Sequence, residues 1–230
     1  MQGVRLAANP LRTSVERVVS ERIGRQWTVK QARDMAEFAC HPSAILSDGS
    51  FSVFAKFGEA ADGSEQFEVE LAGLRFLSER AGVLTPNPIG IIPVAGGAIL
   101  ILEAVQAVDR APRHWRQIGQ TLARIHKIKG ARFGFETDGY FWPLHQDNTS
   151  MDDWPTFYAE RRLWPGLRLA IDSGHLPQAV IRQVERLISR VPGLCGPEVA
   201  PTLLHGDAQQ NNFISTEAGA VVIDPAAQPD

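Results

Sequence analysis

Apolar residues recur with two different periods near the start of the chain, and each period predicts a different kind of element. Val15, Val19 and Ile23 recur at helical spacing. Ser14 can cap this helix at its start, and Gly24 favours its end. Strand-like runs follow at residues 27–31, 38–46 and 51–57, with a short polar turn between the last two. The pattern predicts a helix followed by a three-stranded antiparallel meander.

A second apolar stripe predicts a helix from Asp62 to Gly82. Its members recur at helical spacing and are Phe67, Leu71, Leu74 and Leu77. At about 100° per residue, Glu70 lies within this stripe, whereas Glu65 and Glu68 fall outside it. Because a carboxylate on a buried stripe needs a partner, Glu70 is expected to pair with a buried group.

The remaining pattern shows one more hairpin and then mainly helical periodicity. Runs at residues 89–93 and 98–105 predict the hairpin. Helices are predicted at residues 112–128, 153–163 and 177–191. Pro165 and Gly166 are expected to kink or end the middle helix. Residues 133–149 are predicted to be a loop, and strands return at 202–205, 212–214 and 220–223.

Composition excludes several classes of protein. A formal net charge of -3 gives no basic surface for nucleic acid, so no nucleic-acid partner is expected. No apolar stretch reaches the roughly 20 residues of a spanning helix, and no signal peptide is recognised, so we expect no membrane partner and a cytoplasmic location. Two cysteines, Cys40 and Cys195, predict neither a disulfide framework nor a zinc site. The sequence leaves the oligomeric state open.

The most informative motif is Leu204-His205-Gly206-Asp207, followed by Asn212 and Asp224. Phosphoryl transfer needs one carboxylate to orient the acceptor hydroxyl and take its proton. It also needs a second carboxylate and an amide oxygen to hold Mg²⁺ ions on the phosphates. Protein kinases place the same Asp and Asn five positions apart, with a metal-binding Asp on the next hairpin. The alternative interpretation is that Asp207 and Asn212 are turn residues with local hydrogen bonds.

The other half of an ATP site occurs upstream in the order that such a site requires. Lys56 ends a predicted strand and can neutralise the α- and β-phosphates, and Glu70 on the next helix can hold it. Taken alone, Lys56 is more typical of an edge lysine whose stem lies along apolar surface. Glu103 and Val105 end the strand that leads to the hinge, where backbone groups can hydrogen-bond adenine. We therefore predict that these four residues bind ATP.

With these residues in place, the chain resembles the fructosamine 3-kinase family, relatives of the aminoglycoside phosphotransferases. The stretches that carry the resemblance are residues 67–74, 118–126, 133–135, 148–158 and 162–163. The resemblance implies an α+β, bilobal protein kinase-like fold. Residues 1–105 would form an N-terminal nucleotide-binding lobe, with a five-stranded antiparallel sheet and one helix. Residues 106–230 would form a mainly helical C-terminal lobe with the catalytic loop.

The resemblance also implies a role for each site residue and a class of substrate. Asp207 would be the catalytic base, Asn212 and Asp224 the Mg²⁺ ligands, and Lys56 with Glu70 the pair that positions the phosphates. His205 would support the loop. The implied reaction is ATP- and Mg²⁺-dependent phosphorylation of a sugar hydroxyl of a fructosamine or other ketosamine, a small-molecule substrate.

Three departures from the family keep other functions open. Ala208-Gln209 stands where the family has Leu-Trp, so an aromatic wall beside the substrate is missing. The phosphate-covering segment, residues 31–38, lacks the usual glycines. The chain ends six residues after Asp224, where the family continues with several helices, so the C-terminal lobe is expected to be incomplete. The alternatives are an aminoglycoside or amino-sugar phosphotransferase and a catalytically impaired nucleotide-binding protein.

Overall fold

A five-stranded antiparallel sheet occupies the first half of the computed structural model, which describes residues 6, 11–35, 41–59, 63–141 and 144–226. Its strands lie in the order β1-β2-β3-β5-β4. Their bounds are β1 Gln31–Asp34, β2 Ser43–Ser47, β3 Ser52–Gly58, β4 Pro88–Val94 and β5 Gly97–Glu103. The predicted meander and the predicted hairpin thus join in one sheet through the pairing of β3 with β5.

Both faces of this sheet are apolar, and each is covered by a helix. Helix α1, Leu11–Ile23, packs against the face that carries Ile99 and Ile101. Helix α2, Gly63–Ala81, packs against the face of Leu100 and Leu102. Because side chains alternate between the faces of a strand, the continuous apolar run of β5 needs cover on both sides. The sheet therefore carries two helices, both of which the apolar pattern predicts, although the family resemblance implied one helix for this lobe.

Two predicted boundaries in this half were wrong. The first strand lies at Gln31–Asp34 instead of 27–31, because Trp27 and Val29 are buried in the core against α1. Helix α1 begins at Leu11, so Ser14 lies inside it and is not its cap. Cys40, Asp62, residues 36–38 of the glycine-poor segment and the tail 227–230 lie outside the described residues.

The second half is mainly helical, as predicted. Its helices are α3 Pro112–Ile125, α4 Trp154–Tyr158, α5 Trp164–Asp172 and α6 Gln178–Leu194. Asp153 caps α4, since its Oδ1 accepts a hydrogen bond from Thr156 N–H at 3.0 Å. A π-helical turn, Ala159–Leu163, connects α4 to α5. Pro165 therefore does not end the helix, because it lies in the first turn of α5, where its missing N–H is not needed.

Two short hairpins complete the chain. The strands β6 Gly139–Phe141 and β7 Leu144–Gln146 lie inside the segment predicted to be a loop. The strands β8 Phe213–Thr216 and β9 Gly219–Val222 form the predicted hairpin at the end. The prediction of a strand at 202–205 is wrong, since Thr202 makes only an isolated bridge to Lys129. None of the helices in the described ranges is long and apolar enough to cross a membrane.

The last hairpin is attached directly to the sheet half of the molecule. Val222 N–H donates to Leu84 O at 2.8 Å, and Leu84 follows helix α2. A shared core joins Phe76 and Leu77 of α2 to Ile125 of α3 and Val222 of β9. This packing sets the distance between the end of β9, where Asp224 lies, and the buried face of α2, where Glu70 lies.

Candidate active site

The loop between residues 204 and 212 brings Asp207 and Asn212 together. Asn212 Nδ2 donates to Asp207 Oδ2 at 2.8 Å and to the Asp207 carbonyl oxygen at 2.9 Å. Asn212 is buried, and its own carbonyl accepts a hydrogen bond from Ile223 N–H at 3.0 Å. The spacing of five thus places one carboxylate and one amide side by side, next to the strand that leads to Asp224.

His205 connects the same loop to the end of β9. Its Nδ1 accepts a hydrogen bond from Asp207 N–H at 3.2 Å, so the ring proton lies on Nε2, which donates to Ile223 O at 3.1 Å. Burial lowers the pKa of this histidine below its usual value, although Ile223 O and Asp207 oppose the shift. The imidazole is therefore hydrogen-bonded through both ring nitrogens and connects the loop to the end of β9.

Gly206 permits a close approach between the loop and the chain beyond Asp224. Its φ is +82°, and a Cβ there would lie 2.7 Å from the Ala226 Cβ and 2.8 Å from the Ala226 carbonyl carbon. Those contacts are shorter than real Cβ atoms show, and two of the three nearest atoms are backbone. Only glycine fits at this position without a shift of the loop.

Gly206→Ala is therefore expected to lower the free energy of unfolding by at least about 2 kcal/mol. The matched control is Gly119→Ala in helix α3, where a Cβ meets nothing within 4 Å and alanine is expected to stabilise by about 0.5–1 kcal/mol. Denaturant unfolding of both variants measures the contrast. Equal stability of the two variants would show that the loop does not need this approach.

A buried lysine occupies the centre of the site. Lys56 Nζ lies 2.5 Å from Glu70 Oε2 and 2.7 Å from Asp224 Oδ1. Burial disfavours the charged amine, but Asp224 and Glu70 more than offset it and raise the pKa of Lys56. Burial raises the pKa of Glu70 to about 7, against the opposing effect of Lys56. Glu70 thus has the buried partner that its position on the stripe predicts, while Glu65 and Glu68 are exposed.

Asp224 has an unusual backbone conformation. Its φ of +47° is the only positive value among non-glycine residues in the described part of the chain. The left-handed region costs an L-residue roughly 1–2 kcal/mol, so the surrounding structure must hold it there. Burial would raise the pKa of this carboxyl, but the charge and hydrogen bond of Lys56 hold it below its usual value. The strained residue therefore presents a charged carboxylate to Lys56.

Two cavities meet at this lysine cluster. One, of about 570 Å³, lies between the sheet and the helical half and includes Glu103 and Val105. The other, of about 380 Å³, includes Lys56, Asp207 and Asn212. Glu70 and Asp224 line both cavities, so the two spaces adjoin at these carboxylates. All seven predicted site residues therefore line one connected cleft.

Glu103 and Val105 contribute to the larger cavity in different ways. The Glu103 carboxylate accepts a hydrogen bond from Asn87 Nδ2 at 2.8 Å, and Glu103 N–H donates to Asn87 O. The side chain of Glu103 is thus engaged at the edge of the sheet. Within the described residues, Val105 N–H makes no hydrogen bond, so it can donate to a ligand at this end of the cavity.

Sequence reasoning missed several residues that line the cleft. Arg110 stacks on Trp115 at 4.8 Å beside the larger cavity, and its Nη2 donates to the carbonyl groups of Gln210 and Phe213. Another set lines the smaller cavity and comprises His41, Gln66, Phe67, Tyr140, Phe141 and Gln209. No local motif marks Gln66, Tyr140 or Phe141 as part of a site, since tertiary packing alone brings helix α2 and strand β6 near Asp207.

The sheet carries a buried Lys–Glu pair, and next to it lie an Asp–Asn loop and a hairpin that ends in Asp. This arrangement is that of a phosphotransferase with the bilobal protein kinase-like fold. The sequence profile of the fructosamine kinase family matches residues 11–228. The chain therefore belongs to the fructosamine kinase family.

Individual relatives agree with this assignment. A Synechocystis protein assigned as a ketoamine kinase is 29% identical over 217 residues, covering 93% of this chain and 72% of the relative. The crystal structure of a protein assigned as a fructosamine-3-kinase from Thermobifida fusca superposes with a TM-score of 0.74 at 33% identity, covering 94% of this chain and 74% of that one.

The fold also extends to more distant enzymes. An aminoglycoside phosphotransferase in ternary complex with AMP-PNP and hygromycin B superposes with a TM-score of 0.63. The two chains are 17% identical, and the superposition covers 95% of this chain and 73% of the other. At that identity the likeness shows a shared kinase-like fold.

Proposed function

We propose that this chain transfers the γ-phosphate of ATP to a sugar hydroxyl of a ketosamine, with Mg²⁺ as the cofactor. The observation that carries the proposal is the convergence of Asp207, Asn212, Asp224 and Lys56 on one cavity. Family membership, and relatives assigned as ketoamine and fructosamine kinases, support the class of substrate. We place the lobe boundary after residue 105, at the end of β5, and the enzyme in the cytoplasm.

The adenine and ribose of ATP would occupy the larger cavity. Leu102 and Ile223 provide apolar walls there, and Val105 N–H can donate to an adenine ring nitrogen. Lys56, held by Glu70, would neutralise the α- and β-phosphates where the two cavities meet. This orientation directs the γ-phosphate toward Asp207, in the smaller cavity.

The oxygen atoms around Asp207 fit Mg²⁺. Asn212 donates through its Nδ2, which leaves its side-chain oxygen to act as a ligand. Asp224 contacts Lys56 through Oδ1 and is also hydrogen-bonded to Glu70, and its carboxylate would add a charged ligand for the cation. Mg²⁺ keeps several waters and binds through one or two carboxylates plus phosphate oxygens, so the oxygens of Asn212 and Asp224 would suffice as protein ligands. When bound, Mg²⁺ would stabilise the charge that develops on the transferred phosphoryl group.

Asp207 would do the proton chemistry. Its Oδ2 accepts hydrogen bonds from Asn212 and Gln209, which leaves Oδ1 to accept the acceptor hydroxyl and take its proton as the O–P bond forms. The proton passes from the hydroxyl to Asp207, and the γ-phosphoryl passes from ATP to the hydroxyl oxygen as its bond to the β-phosphate oxygen breaks and ADP leaves. Lys56 and Glu70 keep the phosphates aligned during this step.

One observation favours a second acceptor class. Gln209 is exposed in the loop and donates to Asp207 at 3.2 Å, so the floor of the acceptor cavity is polar. A polar floor can also hydrogen-bond the hydroxyl and amino groups of an amino sugar. An aminoglycoside or other amino-sugar phosphotransferase is therefore the second candidate.

The wild-type protein is expected to gain thermal stability from Mg·ATP and to phosphorylate a ketosamine. A ligand that binds only the native state at 100 times its Kd adds about 2.7 kcal/mol to stability. Thermal-shift titration measures binding, and transfer of labelled γ-phosphate to fructosyl-lysine, kanamycin or fructose measures the reaction. Transfer to kanamycin alone would favour the second candidate, and absence of any Mg·ATP shift would instead indicate a catalytically impaired protein.

A further inference from the structure

The smaller cavity has an aromatic side that the proposed chemistry does not use. Strand β6 contributes Tyr140 and Phe141 to its lining, on the same cavity as Asp207 and Gln209. The strand packs against helix α2, which contributes Gln66 and Phe67 to the same space. The hairpin of β6 and β7 therefore lies beside the residue proposed to bind the acceptor hydroxyl.

The two rings of β6 differ in how they are held. Tyr140 packs edge-on against His145, its cross-strand partner, with ring centroids 5.5 Å apart. Phe141 is 43% exposed, so its ring is open to solvent where it lines the cavity. An exposed ring next to convergent polar groups is typical of a binding site, because binding there removes the ring from water.

The part of the lining that comes from the catalytic loop is polar. Between Asp207 and Asn212 the loop has Ala208, Gln209, Gln210 and Asn211, all of them exposed. Gln209 Nε2 already donates to Asp207, so its amide can align a neighbouring hydroxyl with the carboxylate. A cavity lined by both polar groups and aromatic rings suits a carbohydrate ring, which has hydroxyl groups at its edge and C–H groups on its face.

We propose that Phe141, together with Tyr140, forms the wall on which the sugar of the acceptor stacks, with the sugar hydroxyls directed to Gln209 and Asp207. This proposal rests on the proposed function and adds a binding subsite to it. The wall comes from the β6–β7 hairpin, since the catalytic loop of this chain provides no aromatic residue. A protonated amine attached to the sugar would also be attracted to the faces of these rings.

Phe141→Ala is expected to raise the KM for fructosyl-lysine about tenfold, as the loss of one aromatic stacking contact implies. The KM for ATP and the Mg·ATP thermal shift should not change, because the ring lies outside the larger cavity. Phe141→Trp, which keeps an aromatic face, should restore most of the lost affinity for the acceptor. Steady-state kinetics with each substrate varied in turn measures these effects.

The same hairpin offers a matched control. Leu144 pairs with Phe141 across the hairpin, is 37% exposed, and does not line the cavity. Leu144→Ala should therefore leave the acceptor KM within about twofold of wild type. If Leu144→Ala and Phe141→Ala raise that KM equally, the hairpin acts only as a structural support and the proposal is wrong. An acceptor KM unchanged by Phe141→Ala would overturn it as well.

Binding without turnover separates this proposal from the proposed function. Saturation-transfer NMR, with Mg·AMP-PNP present, detects which protons of fructosyl-lysine contact the protein. Strong transfer to the sugar C–H protons that is lost in Phe141→Ala supports the wall even if the wild type proves inactive. Absence of any transfer from the wild-type protein to these protons would overturn the wall. Normal phosphorylation with no effect of Phe141→Ala would leave the kinase assignment intact and reject the wall alone.

Discussion

Asp207→Asn is expected to lower phosphate transfer by a factor on the order of 10²–10⁴ while leaving Mg·ATP binding nearly unchanged. An amide cannot take a proton from the acceptor hydroxyl. The substitution preserves the size of the side chain, and the new amide oxygen can still accept the hydrogen bond from Asn212 Nδ2. The loop should keep its shape because His205 and the Asn212–Ile223 contact do not involve the Asp207 carboxylate.

The measurement combines single-turnover phosphate transfer with a Mg·ATP thermal-shift titration. Asp172→Asn is the control, since Asp172 is an exposed carboxylate at the end of α5, outside both cavities that meet at Lys56. It removes the same charge and should leave both readouts at wild-type values. If Asp207→Asn turns over normally, Asp207 is not the base and the acceptor must be activated by another group.

Asp224→Asn is expected to lower the apparent affinity for Mg²⁺ by at least about tenfold, since it replaces a charged ligand with a neutral one. Asparagine is the right substitution because it tolerates positive φ, and Asp224 has a φ of +47°. Alanine would add backbone strain, so a weaker affinity for Mg²⁺ could come from misfolding as well as from the missing carboxylate. The substitution also removes one of the two carboxylates that contact Lys56.

Titration of Mg²⁺ at fixed ATP, followed by thermal shift and by phosphate transfer, measures the effect. Far-UV circular dichroism of the variant without ligand checks that the hairpin of β8 and β9 still folds. If the apparent Mg²⁺ affinity stays at its wild-type value, Asp224 lies outside the metal shell. Its contact with Lys56 would then be a structural ion pair, worth measuring by denaturant unfolding.

The contact between Lys56 and Asp224 would have to change when Mg²⁺ and ATP bind. Lys56 is buried and shared by two carboxylates, which satisfies its charge inside the protein. A cation held by Asp224 and phosphates next to Lys56 would replace this direct contact with two new ones. The site thus exchanges one set of ion pairs for another, and no charge is left buried without a partner.

Local sequence predicted those parts of the fold where the pattern of apolar residues was long and the end signals were strong. Helix α2 is the clearest example, since its apolar stripe and the glycine after it specify the helix and the inward position of Glu70. The predictions failed where a segment was short, or where an element distant in the sequence buried its apolar residues. Residues 27–29 look like a strand, but Trp27 and Val29 are buried by helix α1 and do not pair in the sheet.

The sequence by itself determined the chemistry of this protein: the residue types, their order and their spacing within single loops and elements. Asp207 and Asn212 meet because five positions of one loop separate them, and a hairpin needs only local turns to deliver Asp224. Tertiary structure alone decided which distant elements share the cleft, including the Lys56–Asp224 contact and the aromatic side formed by β6. The physical reason is that local propensity acts over a few residues. Contacts between residues far apart in the chain form only when whole faces pack to remove apolar surface from water.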